Sequence, residues 1–330
     1  MKQVWRILVA ALAIAALAAG GTVAFAQRGG GKGHARKAVA ERQFTFPAGT
    51  LKDHPEGVAF DKRTKTFFVG SRGDGTIFSG RPDQARNELS VFIPGANGKS
   101  ALGMKVRRGR LYVAGGATGT ITVYDLRTKD VVASFDTGSG GFLNDLVVTG
   151  RGDVFVTDSL RPKLWHVTAA QVRAGGGTVQ GLDTPAGDIG FQEGAFNLNG
   201  IVARSGHKLI VVNTTTGGLF RIDLNQKRDA IRRIDQIEGV TVKGGDGLLL
   251  DRGRLLVVQG GTPPQISFVK LHHGARRGEV RSTRTSRLLE GPSTIARAGK
   301  LYLVVNANFA QDAPPPNVAA LLRNRGGRGH

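Results

Sequence analysis

From Arg42 onward, short apolar stretches alternate with polar residues and are bounded by glycines or polar turns, a pattern that predicts strands rather than helices. It is clearest between Asn197 and Leu224. Alternation in Gly200–Arg204, the apolar run Leu209–Val212 and the segment Gly217–Leu224 predict three strands, with turns at Ser205–Gly206 and Gly217–Gly218. Ala230–Ile237 adds a fourth. Comparable units open at His54–Asp61, Leu102–Val106, Asn144–Val148, Asp246–Leu250 and Ser293–Ala296.

Aligning the positions where these units begin gives Glu56, Leu102, Asn144, Asn199, Asp246 and Ser293, spaced by 46, 42, 55, 47 and 47 residues. Repeats of about four strands at this period predict an all-β protein, a six-bladed β-propeller with four-stranded antiparallel blades spanning residues 42–322. The longest interval holds Ala169–Gly175 and Thr184–Phe196, expected as an elaboration over one face. The last unit lacks an outer strand, whereas Arg42–Pro47 precedes the first unit with no sheet of its own. The N-terminal strand is therefore expected to close the ring, which would leave no unpaired terminal edge and make a monomer the simplest state.

Composition adjusts this picture. Glycine occupies 49 of 330 positions, as suits many tight turns, and hydrophobic content of 40% with only 6% aromatics predicts a core of Val, Leu and Ile. The absence of cysteine excludes disulfides, thiolate metal sites and a cysteine nucleophile. Lys2 and Arg6, the apolar run Ile7–Ala18 and the Ala24-Phe25-Ala26 site read as a secretory signal over residues 1–26, cleaved after Ala26, so the protein is expected to be secreted. Gln27–Glu41 reads as a flexible basic spacer, and Arg323–His330 as a disordered basic tail. The formal charge is +21, or +19 without Lys2 and Arg6. Its basic residues are scattered, with no recognition helix and no interleaved aromatics, which argues against a nucleic-acid partner. A solvated, highly soluble surface accounts for such charge, and an acidic cell envelope could also hold it electrostatically.

In a propeller the first strand of each unit lines the central channel, so the six opening positions converge at its mouth. Glu56, Asn144, Asn199 and Asp246 carry oxygen donors there, whereas Leu102 and Ser293 do not supply carboxylate or amide oxygens. Two carboxylates and two amides suit a hard divalent cation, Ca²⁺ first, with Zn²⁺, Mn²⁺ and Mg²⁺ compatible. Asn-Gly and Asp-Gly are also turn formers, but a Glu at the same repeat position is not explained that way. His54 stands beside Glu56, where it could act as a base or be a hydrogen-bonded structural residue. The other histidines show no ligand spacing, and no Gly-x-Ser-x-Gly elbow is present.

On Pro55-Glu56-Gly57 with Asp61, Asn144-Asp145, Asn199-Gly200 and Gly245-Asp246-Gly247, in this order along Phe44–Leu322, the chain resembles the family of senescence marker protein 30 and gluconolactonases. The resemblance implies a calcium-dependent six-bladed propeller that hydrolyses lactones. It implies that Glu56, Asn199 and Asp246 bind the metal, that Asn144 holds a bound water or the substrate, and that Asp246 doubles as general base. The sequence departs from the sugar-lactone pattern at Phe142, where those members carry an arginine for substrate hydroxyls. An aromatic there favours a less polar ligand. Arg72, Lys99 and Gln192 lie in loops that could compensate, although surface solvation also explains them. Two functions are thus expected to compete: an exported metal-dependent hydrolase of small-molecule lactones or esters, and a non-catalytic, metal-stabilised propeller that binds a ligand or an acidic wall polymer.

Overall fold

Strand β1 (Arg42–Thr45) is short, and its Phe44 is fully buried. It belongs to a computed structural model that describes residues 40–310 and 315–323. The expected signal Met1–Ala26, most of the basic spacer and the tail from residue 324 lie outside the described residues.

Next in the chain, β2 (Pro55–Asp61), β3 (Thr66–Ser71), β4 (Ile77–Gly80) and β5 (Ser90–Ile93) make one antiparallel sheet. A second consists of β6 (Met104–Arg107), β7 (Arg110–Ala114), β8 (Thr120–Asp125) and β9 (Val131–Asp136). A third consists of β10 (Leu143–Val148), β11 (Val154–Asp158), β12 (Lys163–Val167) and β13 (Gln180–Asp183). Helix α1 (Ala169–Ala174) links β12 to β13, and α2 (Ala186–Ile189) follows β13. Thr168 and Gln171 form a reciprocal capping box that starts α1, and Gly175 in the left-handed region ends it. Because consecutive strands run in opposite directions, α1 and α2 emerge at opposite ends of this sheet. The elaboration expected over a single face is therefore divided between the two ends.

The chain continues through β14 (Leu198–Ser205), β15 (Lys208–Asn213), β16 (Gly218–Leu224) and β17 (Ile231–Thr241). It then passes through β18 (Gly245–Asp251), β19 (Arg254–Gln259), β20 (Gln265–His272) and β21 (Arg277–Arg284). These eight strands share one sheet, in the order β14-β15-β16-β17-β21-β20-β19-β18. The last strands, β22 (Pro292–Ala298), β23 (Leu301–Asn306) and β24 (Asn317–Leu322), form a sheet with β1 in the order β1-β24-β23-β22.

The architecture is an all-β propeller, but the expectation of a six-bladed ring of separate four-stranded blades is corrected. Among the described residues the sheets are four of four strands and one of eight. The cause is the length of β17. The expected strand stopped at Ile237, whereas β17 runs on to Thr241, and Glu238 pairs in parallel with Arg277 of β21. Glu238 N also donates to Arg276 O at 3.0 Å. Ile237, Val240 and Val242, in and beside this extension, are buried in one hydrophobic cluster with Ala275, so the two outer strands are joined at this end while most of their length stays exposed.

Hydrophobic clusters fill the spaces between neighbouring sheets. Phe155 and Leu164 of one sheet, for example, pack with Ile201 and Val211 of the next. Strands β2, β6, β10, β14, β18 and β22 pack side by side in that order, and β22 returns to β2. This ring of first strands positions the functional residues.

Candidate functional site

In five of the six units the first strand departs from regular pairing at its opening residues. Register against the second strand breaks between Pro55 and Val58, Leu143 and Leu146, Leu198 and Ile201, Gly245 and Leu248, and Pro292 and Thr294. Glu56, Asn144, Asn199, Asp246 and Ser293 lie inside these breaks. Irregularities of this kind locally re-aim side chains. Leu102 lies just before β6 and is fully buried.

The glycine after an opening residue is required by close approach rather than by a turn. A Cβ on Gly200 would overlap the Asp246 carbonyl oxygen and stand 2.8 Å from Leu248 N, and one on Gly57 would overlap the Leu102 carbonyl. Adjacent first strands are thus brought together at the mouth. In the third and sixth units Asp145 and Thr294 take the glycine's place. The Asp145 carboxylate accepts from Lys105 Nζ at 2.9 Å, Leu146 N at 2.8 Å and Ile201 N at 3.4 Å, tying β6, β10 and β14 together.

Glu56, Asn144 and Asn199 are buried and Asp246 is half-buried. Burial raises the Glu56 pKa from its ordinary 4.5 to about 7; the Arg72 charge opposes the rise, and the Asp145 and Asp53 charges add to it. Asp246 is raised well above the usual carboxylate range, first by burial and then by the charges of Glu56 and Asp145, while a hydrogen bond from the Asn199 side chain acts in the other direction. These mutual effects place Glu56, Asn199, Asp246 and Asp145 in one electrostatic neighbourhood. Asn144 Nδ2 donates to Ser159 Oγ at 3.0 Å, and Ser159 Oγ donates to Leu198 O at 2.7 Å, which fixes the plane of the Asn144 amide. Thr157 Oγ1 donates to Asn199 O at 2.6 Å and accepts from Asp145 N at 3.1 Å.

The loops above the ring hold the remaining expected residues. His54 Nδ1 lies 2.7 Å from Ala307 O, its Nε2 lies 3.5 Å from Asp53, and its ring packs on Phe309 at 5.1 Å. These contacts bind it into the rim. Phe142 meets Phe196 edge to face at 5.0 Å, and its backbone N–H donates to Asp158 Oδ1 at 2.9 Å. Arg72 pairs with Asp53 at 2.7 Å and lies over Phe309, whereas the Gln192 side chain is exposed.

Sequence reasoning missed a second set of polar residues, at the mouth ends of the second strands. Asp158 accepts from Phe142 N, Leu160 N and Arg161 N. Asn213 Nδ2 donates to Ile189 O and Gly190 O, Gln259 Nε2 to Lys243 O, and Asn306 Nδ2 to Leu288 O. Each anchors a loop around the mouth. A readable signal exists, because each closes an apolar run: Val154–Asp158, Leu209–Asn213, Leu255–Gln259 and Leu301–Asn306.

Among the described residues no group of three or more His, Cys, Asp or Glu side chains is arranged to hold a metal. The oxygen donors that influence one another are the Glu56 and Asp246 carboxyls and the Asn199 amide, while the Asn144 amide bonds to Ser159.

No family model matches the chain, and no curated protein does. Solved structures do. A gluconolactonase from Xanthomonas campestris is similar with a TM-score of 0.57 and 15% identity, over 83% of this chain and 88% of that one. A luciferin-regenerating enzyme is similar with a TM-score of 0.61 and 14% identity, over 87% of this chain and 96% of that one. The WD40 repeats of RRP9 reach a TM-score of 0.56 at 10% identity, over 81% of this chain and 79% of that one. At these identities the likeness is one of propeller fold.

Proposed function

We propose that the protein is an exported, metal-dependent hydrolase of lactones or related esters, with its reaction centre at the channel mouth. The observation that carries this reading is that Glu56 and Asp246, both with raised pKa values, influence each other with Asn199 hydrogen-bonded to Asp246, while Asn144 holds the same opening position on a fourth first strand of the ring. The propeller fold shared with a gluconolactonase adds support. Export rests on the sequence of Met1–Ala26, and attraction to an acidic envelope on the basic charge.

The donor set fits a hard divalent ion. It is oxygen only, and two carboxyl groups that burial and mutual repulsion hold at high proton affinity are groups a dication would stabilise in their charged form. Glu56, Asn199 and Asp246 would hold the ion, Ca²⁺ first. When bound, it supplies a Lewis acid for the carbonyl and acidifies water. The chain's own residues then divide the work. Asn144, its amide fixed by Ser159, orients substrate or water by hydrogen bonding. Asp246 takes a proton from the water as its oxygen bonds to the carbonyl carbon, then returns that proton to the departing alkoxide as the ring C–O bond breaks.

Hydrolysis of a panel of γ- and δ-lactones and aryl esters, with and without Ca²⁺, Mn²⁺ and Zn²⁺, tests the reading. Metal-dependent turnover on at least one member is expected. Cation-dependent thermal stabilisation without turnover on any member would replace it with the non-catalytic, ligand-binding propeller.

A further inference from the structure

The rim of the channel carries a feature the proposed chemistry does not require. Phe196 and Phe309 are each 44% exposed, unusual for rings this large, and both lie at the mouth. Phe196 precedes Asn199 by three residues and stands edge to face with Phe142. Phe309 follows β23 and packs on His54, which precedes Glu56 by two. In the ring of first strands β10 and β14 lie across from β22 and β2, with β6 between them on one side and β18 on the other. The two aromatic pairs therefore stand on opposite sides of the ring of first strands, the second with the Arg72 guanidinium over Phe309.

Three polar side chains beside Phe196, those of Asn197, Thr214 and Thr215, already donate to the protein's own backbone, whereas Gln192 points to solvent. Asn197 Nδ2 donates to Gln192 O at 2.9 Å and to Ala195 O at 2.8 Å, Thr215 Oγ1 to Phe196 O at 2.5 Å, and Thr214 Oγ1 to Gly245 O at 2.7 Å. Sugar hydroxyls entering here would lose water without recovering hydrogen bonds to these groups, which is costly. An apolar or aromatic substituent would instead gain ring contacts and lose only unfavourable hydration. We infer that the two aromatic pairs, Phe142 with Phe196 and Phe309 with His54, clamp an apolar, preferably aryl, substituent of the substrate and so select against polyhydroxylated lactones. This inference rests on the lactonase reading for the position of the reacting carbonyl.

Binding of cyclic amides, which mimic lactones without being hydrolysed, separates the clamp from the chemistry. Calorimetry with the Ca²⁺-loaded protein should show a phenyl-substituted δ-lactam binding about ten-fold more tightly than the unsubstituted ring, with a hydroxylated lactam no tighter than the unsubstituted one. In the double variant Phe196→Ala, Phe309→Ala the preference for phenyl should fall to about two-fold. Both positions are half-exposed at the rim, so the fold should survive, and circular dichroism checks that it does. An undiminished phenyl preference in the variant, tighter binding of the hydroxylated lactam, or no binding of any lactam overturns the clamp. Failure of the lactonase reading appears separately, as phenyl-selective binding without turnover of the matching lactone.

Discussion

Gly200 lies so close to the carbonyl oxygen of Asp246 that no side chain fits between them, and this contact sets two donor-bearing strands side by side. Replacing Gly200 by Ala forces β14 and β18 apart, with an overpacking cost of about 1–3 kcal/mol. It should also separate Asn199 from Asp246 and weaken Ca²⁺ binding. Gly206, in the turn after β14, has open space around its Cβ position, and Gly206→Ala serves as the control. Thermal unfolding and calorimetry should show loss of both stability and affinity for the first variant only. Equal behaviour of the two variants would mean that the close approach does not shape the site.

The raised carboxyls make a prediction about pH. A carboxyl whose folded pKa exceeds its unfolded value favours the protonated native state, so its contribution is fully present below the unfolded pKa and is lost as pH rises through the folded one. For Glu56 the window runs from 4.5 to about 7. Across it the cation-free protein should lose about 3 kcal/mol, with Asp246 adding in the same direction. Saturating Ca²⁺ should remove or invert the decline, because the ion binds the deprotonated groups. Urea unfolding at stepped pH, with chelator and with Ca²⁺, reads both curves. A cation-free stability that climbs between pH 5 and 7 would contradict the burial of Glu56.

These two predictions depend on features of unequal visibility in the sequence. Strand alternation and the spacing of Glu56, Asn144, Asn199 and Asp246 were legible because side-chain period and repeat period both report which face a residue takes. The joining of β17 to β21 was not, because it happens through backbone edges. Periodicity carries no information about which edge meets which, and Gly239, with φ 74°, masks the continuation past Ile237. Asp145 looked like a neighbour of Asn144, since nothing local reveals that it replaces a glycine and reaches Lys105 and Ile201. Asn213 and Asn306 carry no local mark of their role, because the loop carbonyls they hold, at Ile189, Gly190 and Leu288, are distant in sequence. The sequence marks Phe142 but not its partner Phe196, which is distant in sequence and meets it only in the fold.

The donor assignment predicts a contrast among substitutions at equivalent repeat positions. Asp246→Ala and Asn199→Ala should abolish Ca²⁺ binding in calorimetry. Leu102→Ala, at a fully buried apolar position, should cost about 2–5 kcal/mol of stability and leave one bound ion per chain. Ion binding retained at wild-type affinity in the first two variants would place the cation elsewhere.

The N-terminal strand offers a final prediction, because the chain's two ends meet in one sheet. Arg42–Thr45 pairs residue for residue with Asn317–Ala320 of β24. Phe44, fully buried, stands edge to face with Phe67 of β3 at 5.0 Å, so β1 contacts both its own sheet and the next. Glu41 extends the junction by accepting from Leu322 N at 2.8 Å and pairing with Arg284. Without β1, the outer edge of β24 and the buried face of Phe67 would both meet water. Phe44→Ala removes the ring but keeps the backbone pairing, and should cost about 3–5 kcal/mol. Deleting residues 42–47 removes both and should lower the melting temperature further. If β1 only decorates the surface, the deletion would unfold at the wild-type temperature and Phe44→Ala would be neutral. If it locks the ring, both variants should lose stability over the entire domain in a single transition, with hydrogen-exchange protection falling at β14 and β18, far from the junction, as well as at β24.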